Sequence, residues 1–186
     1  KEAGFNYIEG GYGEISVEAN QRALAAAEKY DLNMLVWDST IKAELLNAGK
    51  EDEDAIRQVK YLSKQRYDSY KSFAGLKIVD EPLYSQISGY SIAKRRFDAV
   101  YGEDTDKVFY MNLLPVIAGM EAVTADYKEY IRDYVRKINT DYVSYDHYPL
   151  KADIRGNPIL VTDFLYNMEL VKTAAPDKKM YTFLQS

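Results

Sequence analysis

The clearest chemical promise in the sequence lies in Asp80-Glu81-Pro82, which places two carboxyls where the apolar run Leu76-Lys77-Ile78-Val79 stops. Proline has no backbone N–H for a sheet ladder and biases the residue before it toward an extended conformation, so a strand is expected to end at Glu81. A glutamate at the C-terminal rim of a strand, partly shielded from water, can act as a general acid or base near neutral pH. The competing reading of the same tripeptide is a capping carboxylate in a strand-to-loop turn.

Composition narrows what such a carboxylate could serve. The 186 residues are 47% hydrophobic and 28% charged, ordinary for one globular domain with a sizeable core, taken here as residues 1–186. Net charge is −5, and the one basic cluster, Lys94-Arg95-Arg96, reads as the solvated face of a helix, so no nucleic-acid partner is expected. The absence of cysteine removes disulfides, thiolate catalysis and cysteine metal sites. No metal site and no cofactor are expected. No apolar stretch reaches membrane-spanning length, and no signal peptide is visible. The chain opens at Lys1 in what reads as the tail of a helix, so an upstream segment is expected.

The elements that must position the carboxyls alternate. Strand-like runs occur at Phe5 to Ile8, Met34 to Trp37, Leu76 to Val79, Val108 to Leu114, Tyr142 to Tyr145 and Met180 to Leu184. Five helical patterns lie between them: Ser16, as N-cap, to Tyr30; Ile56 through Val59, Leu62 and Tyr70 to Phe73, closed by Gly75; Ser85 to Tyr101, ending at Gly102; Tyr127 to Ile138; and Asp163 to just before Pro176. Strict alternation predicts a parallel sheet with right-handed crossovers. Strand starts near residues 5, 34, 76, 108, 141 and 180 fit the ~31 residues per unit of a (β/α)8 barrel. Six strands do not complete eight, so the fold class expected is a TIM-barrel-type α/β fragment lacking its first and last β-α units.

A doubly wound open sheet is the alternative, because Gly11-Tyr12-Gly13-Glu14-Ile15-Ser16 resembles a dinucleotide-binding turn, with Asp38 ending the next strand. Glu9 and Glu14 flank that turn, and their charges oppose a pyrophosphate there. The strand ends point elsewhere. Polar or aromatic residues gather at several C-termini: Asn6, Trp37-Asp38, Asp80-Glu81, Asn112, Ser144 with Asp146 to Tyr148, and Gln185-Ser186. Polarity from many strands at one rim is what a barrel-mouth site requires. Alternation puts Ser144, Asp146 and Tyr148 on one side of their strand, with Tyr145 and His147 on the other.

Taken in order, Gly4-Phe5-Asn6, Leu35-Val36-Trp37-Asp38, Asp80-Glu81-Pro82, Asn112-Leu113-Leu114-Pro115, Ser144-Tyr145-Asp146-His147-Tyr148-Pro149 and Phe183-Leu184-Gln185-Ser186 resemble strands two to seven of bacterial glycoside-hydrolase-like (β/α)8 proteins of clan A architecture. In that clan the acid/base glutamate follows strand four in an Asn-Glu-Pro type sequence. The resemblance implies a carbohydrate-active barrel with Glu81 as proton donor, a poly- or oligosaccharide substrate, the missing barrel segments as partners, and a secreted or cell-surface location. The chain departs from the clan at Gln185, where a nucleophilic glutamate is expected and an amide cannot serve, and at Asp80, which replaces asparagine.

Glycoside hydrolysis uses a second carboxyl to attack the anomeric carbon or to activate water. Asp146 is the first candidate, with an Asx-type turn into Pro149 as its structural alternative; Asp38 is the reserve, and Asp163 reads as a helix N-cap. Candidate sugar-binding residues are Asp80, Trp37, Asp38, Asn6, Asn112, His147, Tyr148 and Gln185, with Trp37 as the stacking platform. His147, the sole histidine, lacks partners for a metal and reads equally as a packed or surface residue. A barrel that binds carbohydrate without cleaving it is the alternative function, carried by Gln185; nucleotide binding is a further one.

Overall fold

The computed structural model describes residues 4–11, 13, 15–103, 105–119 and 126–182. Among them are eight strands: β1 (Tyr7–Glu9), β2 (Asn33–Val36), β3 (Phe73–Asp80), β4 (Val108–Leu113), β5 (Tyr142–Tyr145), β6 (Leu150–Ala152), β7 (Pro158–Leu160) and β8 (Lys179–Thr182). The helices are α1 (Val17–Lys29), α2 (Ser39–Leu46), α3 (Asp52–Arg66), α4 (Ile87–Tyr101), α5 (Tyr127–Ile138) and α6 (Thr162–Ala174). The main sheet runs β1-β2-β3-β4-β5-β8, and β6 and β7 form a separate antiparallel hairpin. The pairs β1–β2, β2–β3, β4–β5 and β5–β8 are parallel. This is an α/β fold whose strands add in chain order, as the alternation predicts; a full barrel is not shown. The order never reverses among the described strands, so the switch point that a doubly wound nucleotide site needs is missing, and β1 lies at the sheet edge rather than inside it.

The chain divides into two compact units, residues 4–78 with 89–110, and residues 79–88 with 111–182. In the first unit, Leu24 and Ala27 of α1, Leu35 and Val36 of β2, Val59 and Leu62 of α3, Leu76 and Ile78 of β3 and Phe97 of α4 are buried. Ser16 caps α1 as expected, its hydroxyl accepting from Ala19 N–H at 3.1 Å. The second helix ends earlier than its periodicity implies. α3 stops at Arg66, and Phe73 and Gly75 belong to β3. Gly75, at φ 141°, passes so near Val108 that a Cβ there would meet the Val108 carbonyl oxygen at 2.1 Å. It is a close-approach residue of the sheet, and the helix has no part in it.

The basic triplet is also different from its expected solvated face. Lys94 pairs with Asp98 at 2.6 Å and Arg95 reaches Asp52, but Arg96 is buried. Its guanidinium donates to the carbonyls of Leu45, Asn47 and Lys50 and pairs with Asp52, so it ties the α2–α3 connection to α4.

In the second unit α5 presents Tyr127, Tyr130, Ile131, Tyr134 and Ile138 to the core, the face its spacing predicts. Val143 and Tyr145 of β5 and Phe164 and Val171 of α6 complete that core. Asp163 is not the N-cap of α6; Val161 holds that position and Asp163 lies in the first turn. No helix among the described residues is long and apolar enough to cross a membrane.

Candidate functional site

The end of β3 leaves the strand conformation abruptly. Asp80 is its last residue, and Glu81 takes φ 52°, a left-handed backbone that costs a non-glycine residue about 1 to 2 kcal/mol. Two hydrogen bonds hold it there. Glu81 N–H donates to the Asn112 carbonyl at 2.8 Å, and the Tyr130 hydroxyl donates to the Pro82 carbonyl at 2.7 Å. The turn takes Glu81 out of strict strand alternation, which otherwise sends neighbouring side chains to opposite faces.

Side chains from β4 and β5 converge on the same place. Asn112, fully buried in β4, donates through Nδ2 to Asp80 Oδ1 at 3.0 Å and accepts at Oδ1 from the Ser144 hydroxyl at 3.1 Å. The chain Ser144–Asn112–Asp80 thereby fixes one carboxylate by an amide whose own orientation is fixed. Half-buried Asp146 follows β5, with its N–H on the Leu113 carbonyl at 2.9 Å, and the exposed Tyr148 hydroxyl bonds its carboxylate.

The electrostatics of this cluster raise the proton affinity of Glu81. Partial burial comes first, then the charges of Asp146 and Asp80, and all three push its carboxyl above the ordinary value. Glu81 is solvent-exposed, so burial acts on it incompletely and the two aspartates share in the effect. The Tyr148 hydroxyl is pushed up in the same way, by burial and by Asp146. Raised proton affinity on one carboxyl beside an aspartate is the division of labour that acid/base chemistry with two carboxyls requires. Among the described residues no cluster of three or more His, Cys, Asp or Glu could hold a metal ion.

The second unit thus brings together Asp80, Glu81, Asn112, Asp146 and Tyr148 from the sequence-derived candidates. His147 is a correction. It is 3% exposed, packs edge-on against Phe164 at 5.6 Å between centroids, and sets Nε2 3.4 Å from Asp163 Oδ1 without hydrogen-bond geometry. The imidazole is thus packed in the core, the structural alternative the sequence left open for it.

The first unit holds the other candidates. Asn6 precedes β1 instead of ending it, with its carbonyl accepting from Asn33 N–H at the start of β2, so it stands at the opposite end from the C-terminal rim. Asp38 is buried and committed to structure: Oδ1 caps α2 on Ile41 N–H at 3.0 Å, and Oδ2 accepts from Tyr67 at 2.6 Å and Arg66 at 2.8 Å. That leaves it no role as a reserve catalytic carboxylate. Trp37 does reach the rim after β2, but Lys42 Nζ lies over its ring, 4.7 Å from the centroid, and Lys77 Nζ lies at 5.9 Å. Gln185 falls outside the described residues, as do Tyr12 and Glu14 of the glycine turn.

Two contributors escaped the sequence reading. Tyr130 looked like one more core residue of an amphipathic helix, and nothing in its spacing marks a hydroxyl that pins the Glu81 turn. Lys77 carried a visible signal, an ionisable residue inside an apolar strand, and it is buried in an ion pair with Glu9.

Comparison with known proteins adds a likeness of fold. No family model matches the chain, and no curated protein matches it. Among solved structures, an immunomodulatory active chitinase from Trichuris suis is similar at TM-score 0.50 and 14% identity, over 96% of this chain and 56% of the chitinase chain. The chain therefore spans little more than half of that relative's length. A provisionally assigned alpha-L-fucosidase from Bacteroides thetaiotaomicron matches at TM-score 0.45 and 14% identity, over 96% of this chain and 72% of its own.

Proposed function

We propose that this chain belongs to a glycoside hydrolase of (β/α)8 type, supplying six of its eight strands, and that Glu81 is the general acid/base acting on a glycosidic bond of a poly- or oligosaccharide. The observation that carries the reading is the strained, doubly pinned Glu81 backbone at a strand end, under a carboxyl whose proton affinity is raised by partial burial and then by Asp146 and Asp80. Left-handed backbone at a non-glycine residue persists only where the surroundings enforce it, and such positions cluster at functional sites. The fold likeness to a chitinase supports the same reading. Asp146 is the second carboxyl, Asp80, held by buried Asn112, is a hydrogen-bonding partner for sugar hydroxyls, and Tyr148 orients Asp146.

The test is Glu81→Gln in the full-length protein against a panel of activated aryl glycosides. Gln keeps the shape and removes the proton. Turnover should fall about a hundredfold or more while sugar binding persists; unchanged turnover would remove Glu81 from the mechanism. A second reading, carbohydrate binding without hydrolysis, draws on Gln185, the amide where the clan pattern expects a nucleophile. It requires a protein that binds sugars and turns over none of the panel.

A further inference from the structure

Asp146 stands on a short segment held at both ends by backbone hydrogen bonds. Its own N–H donates to the Leu113 carbonyl of β4, and the Pro149 carbonyl accepts from Val161 N–H, at the N-cap of α6, at 2.8 Å. Between these anchors the Tyr148 hydroxyl bonds Asp146, while His147 is buried against α6. The imidazole meets two side chains of that helix's first turn, Phe164 edge-on and Asp163, whose Oδ1 lies 3.4 Å from Nε2. From β8 the Thr182 hydroxyl donates to the His147 carbonyl at 3.5 Å. Both ring nitrogens and Asp163 Oδ1 are shielded from water and have no hydrogen-bond partner among the described residues. A buried donor and a buried acceptor left unmatched cost more than a made hydrogen bond returns, and a shift of about half an ångström brings Nε2 and Oδ1 to hydrogen-bond length. Asp163 is available for it, since Val161 holds the cap position. The helix is also a firm support: Asn167, fully buried, accepts from Val116 N–H at 2.5 Å and donates to the Tyr127 hydroxyl at 3.3 Å.

We propose that His147 and Asp163 are positioning residues for Asp146: the imidazole, donating through Nε2 to the Asp163 carboxylate, ties the Asp146-to-Tyr148 segment to α6 and fixes where the second carboxyl stands. Two carboxyls work together only at a set separation, and a small misplacement of one lowers the rate without removing any reacting group. Backbone bonds at the two ends of the segment leave its middle free to rotate, and the His147 side chain supplies a third point of attachment there. The proposal rests on the hydrolase reading above, in which Asp146 is the partner of Glu81.

The experiment compares wild type, Asp163→Ala and Asp163→Asn in the full-length protein, by amide hydrogen exchange and by turnover of an activated aryl glycoside. Asp163→Ala removes the acceptor; Asp163→Asn keeps an acceptor oxygen. In Asp163→Ala the Asp146 amide should exchange about tenfold faster while the Val143 amide inside β5 keeps its rate, and kcat should fall about tenfold with KM changed less than about twofold. Asp163→Asn should restore most of both. If Asp163→Ala does not fold, His147→Phe, which keeps a ring and removes the nitrogens, is read in the same way. Unchanged exchange at Asp146, an equal rise at Asp146 and Val143, or an unchanged kcat overturns the proposal and leaves the hydrolase reading standing. A wild type that turns over no glycoside overturns the hydrolase reading and this proposal with it.

Discussion

Glu81 combines two unfavourable choices, a left-handed backbone and a carboxyl facing two aspartates, and both act on stability as well as on chemistry. Its proton affinity in the folded chain lies above the model-peptide value of 4.5, so the folded state binds the Glu81 proton more tightly than the unfolded state does. The resulting stabilisation is fully present below pH 4.5 and is lost as pH rises through the folded value. Glu81→Gln removes the destabilising charge. Its melting temperature should therefore exceed that of the wild type at pH 7 and lose that advantage below about pH 4, as read by calorimetry at both values. A wild type more stable than Glu81→Gln at pH 7 would show that the Glu81 charge is favourably partnered. The tripeptide itself marked this residue; the left-handed turn was hidden, because a backbone angle enforced by Asn112 and Tyr130 leaves no trace in local sequence.

At the scale of elements, propensity and periodicity located most helices and strands, and failures came where a tertiary contact overrode them. The α3 pattern ran on through Tyr70 and Phe73 because their spacing stays near 3.6, yet Gly75 is needed where β3 passes Val108. Gly75→Ala should lower stability by about 3 kcal/mol, measured as a fall in the urea midpoint at constant slope; a loss under about 0.5 kcal/mol would contradict the close approach. The short helix α2 was not foreseen, since Ser39 to Leu46 has no sharp apolar stripe, and its start depends on Asp38. Asp38→Ala removes a cap, an ion pair and the acceptor of a buried tyrosine hydroxyl together. It should cost about 3 kcal/mol, and a near-neutral result would return Asp38 to the list of groove residues.

For the molecule as a whole, the β-α alternation was enough to give the order of the main sheet, because each crossover delivers the next strand beside the last. The β6–β7 hairpin was not legible: its strands are three residues each and its turn is built by Asp153 accepting from Arg155 and Asn157 N–H, a pattern without hydrophobic alternation. The candidate site was half legible. Residue types at strand ends pointed to Asp80, Glu81, Asn112, Asp146 and Tyr148, which the structure brings together, whereas it sets Asn6, Asp38 and His147 apart from them. The central proposal is that Glu81 is the general acid/base, its proton affinity raised by partial burial and then by Asp146. It is tested most directly by the pH dependence of kcat/KM on an activated aryl glycoside in the wild type and in Asp146→Asn. Activity should fall on the alkaline side as Glu81 loses its proton, and removing the neighbouring negative charge should lower the Glu81 proton affinity and move that alkaline limb to lower pH, along with a drop in rate. An alkaline limb that stays in place in Asp146→Asn would contradict the account.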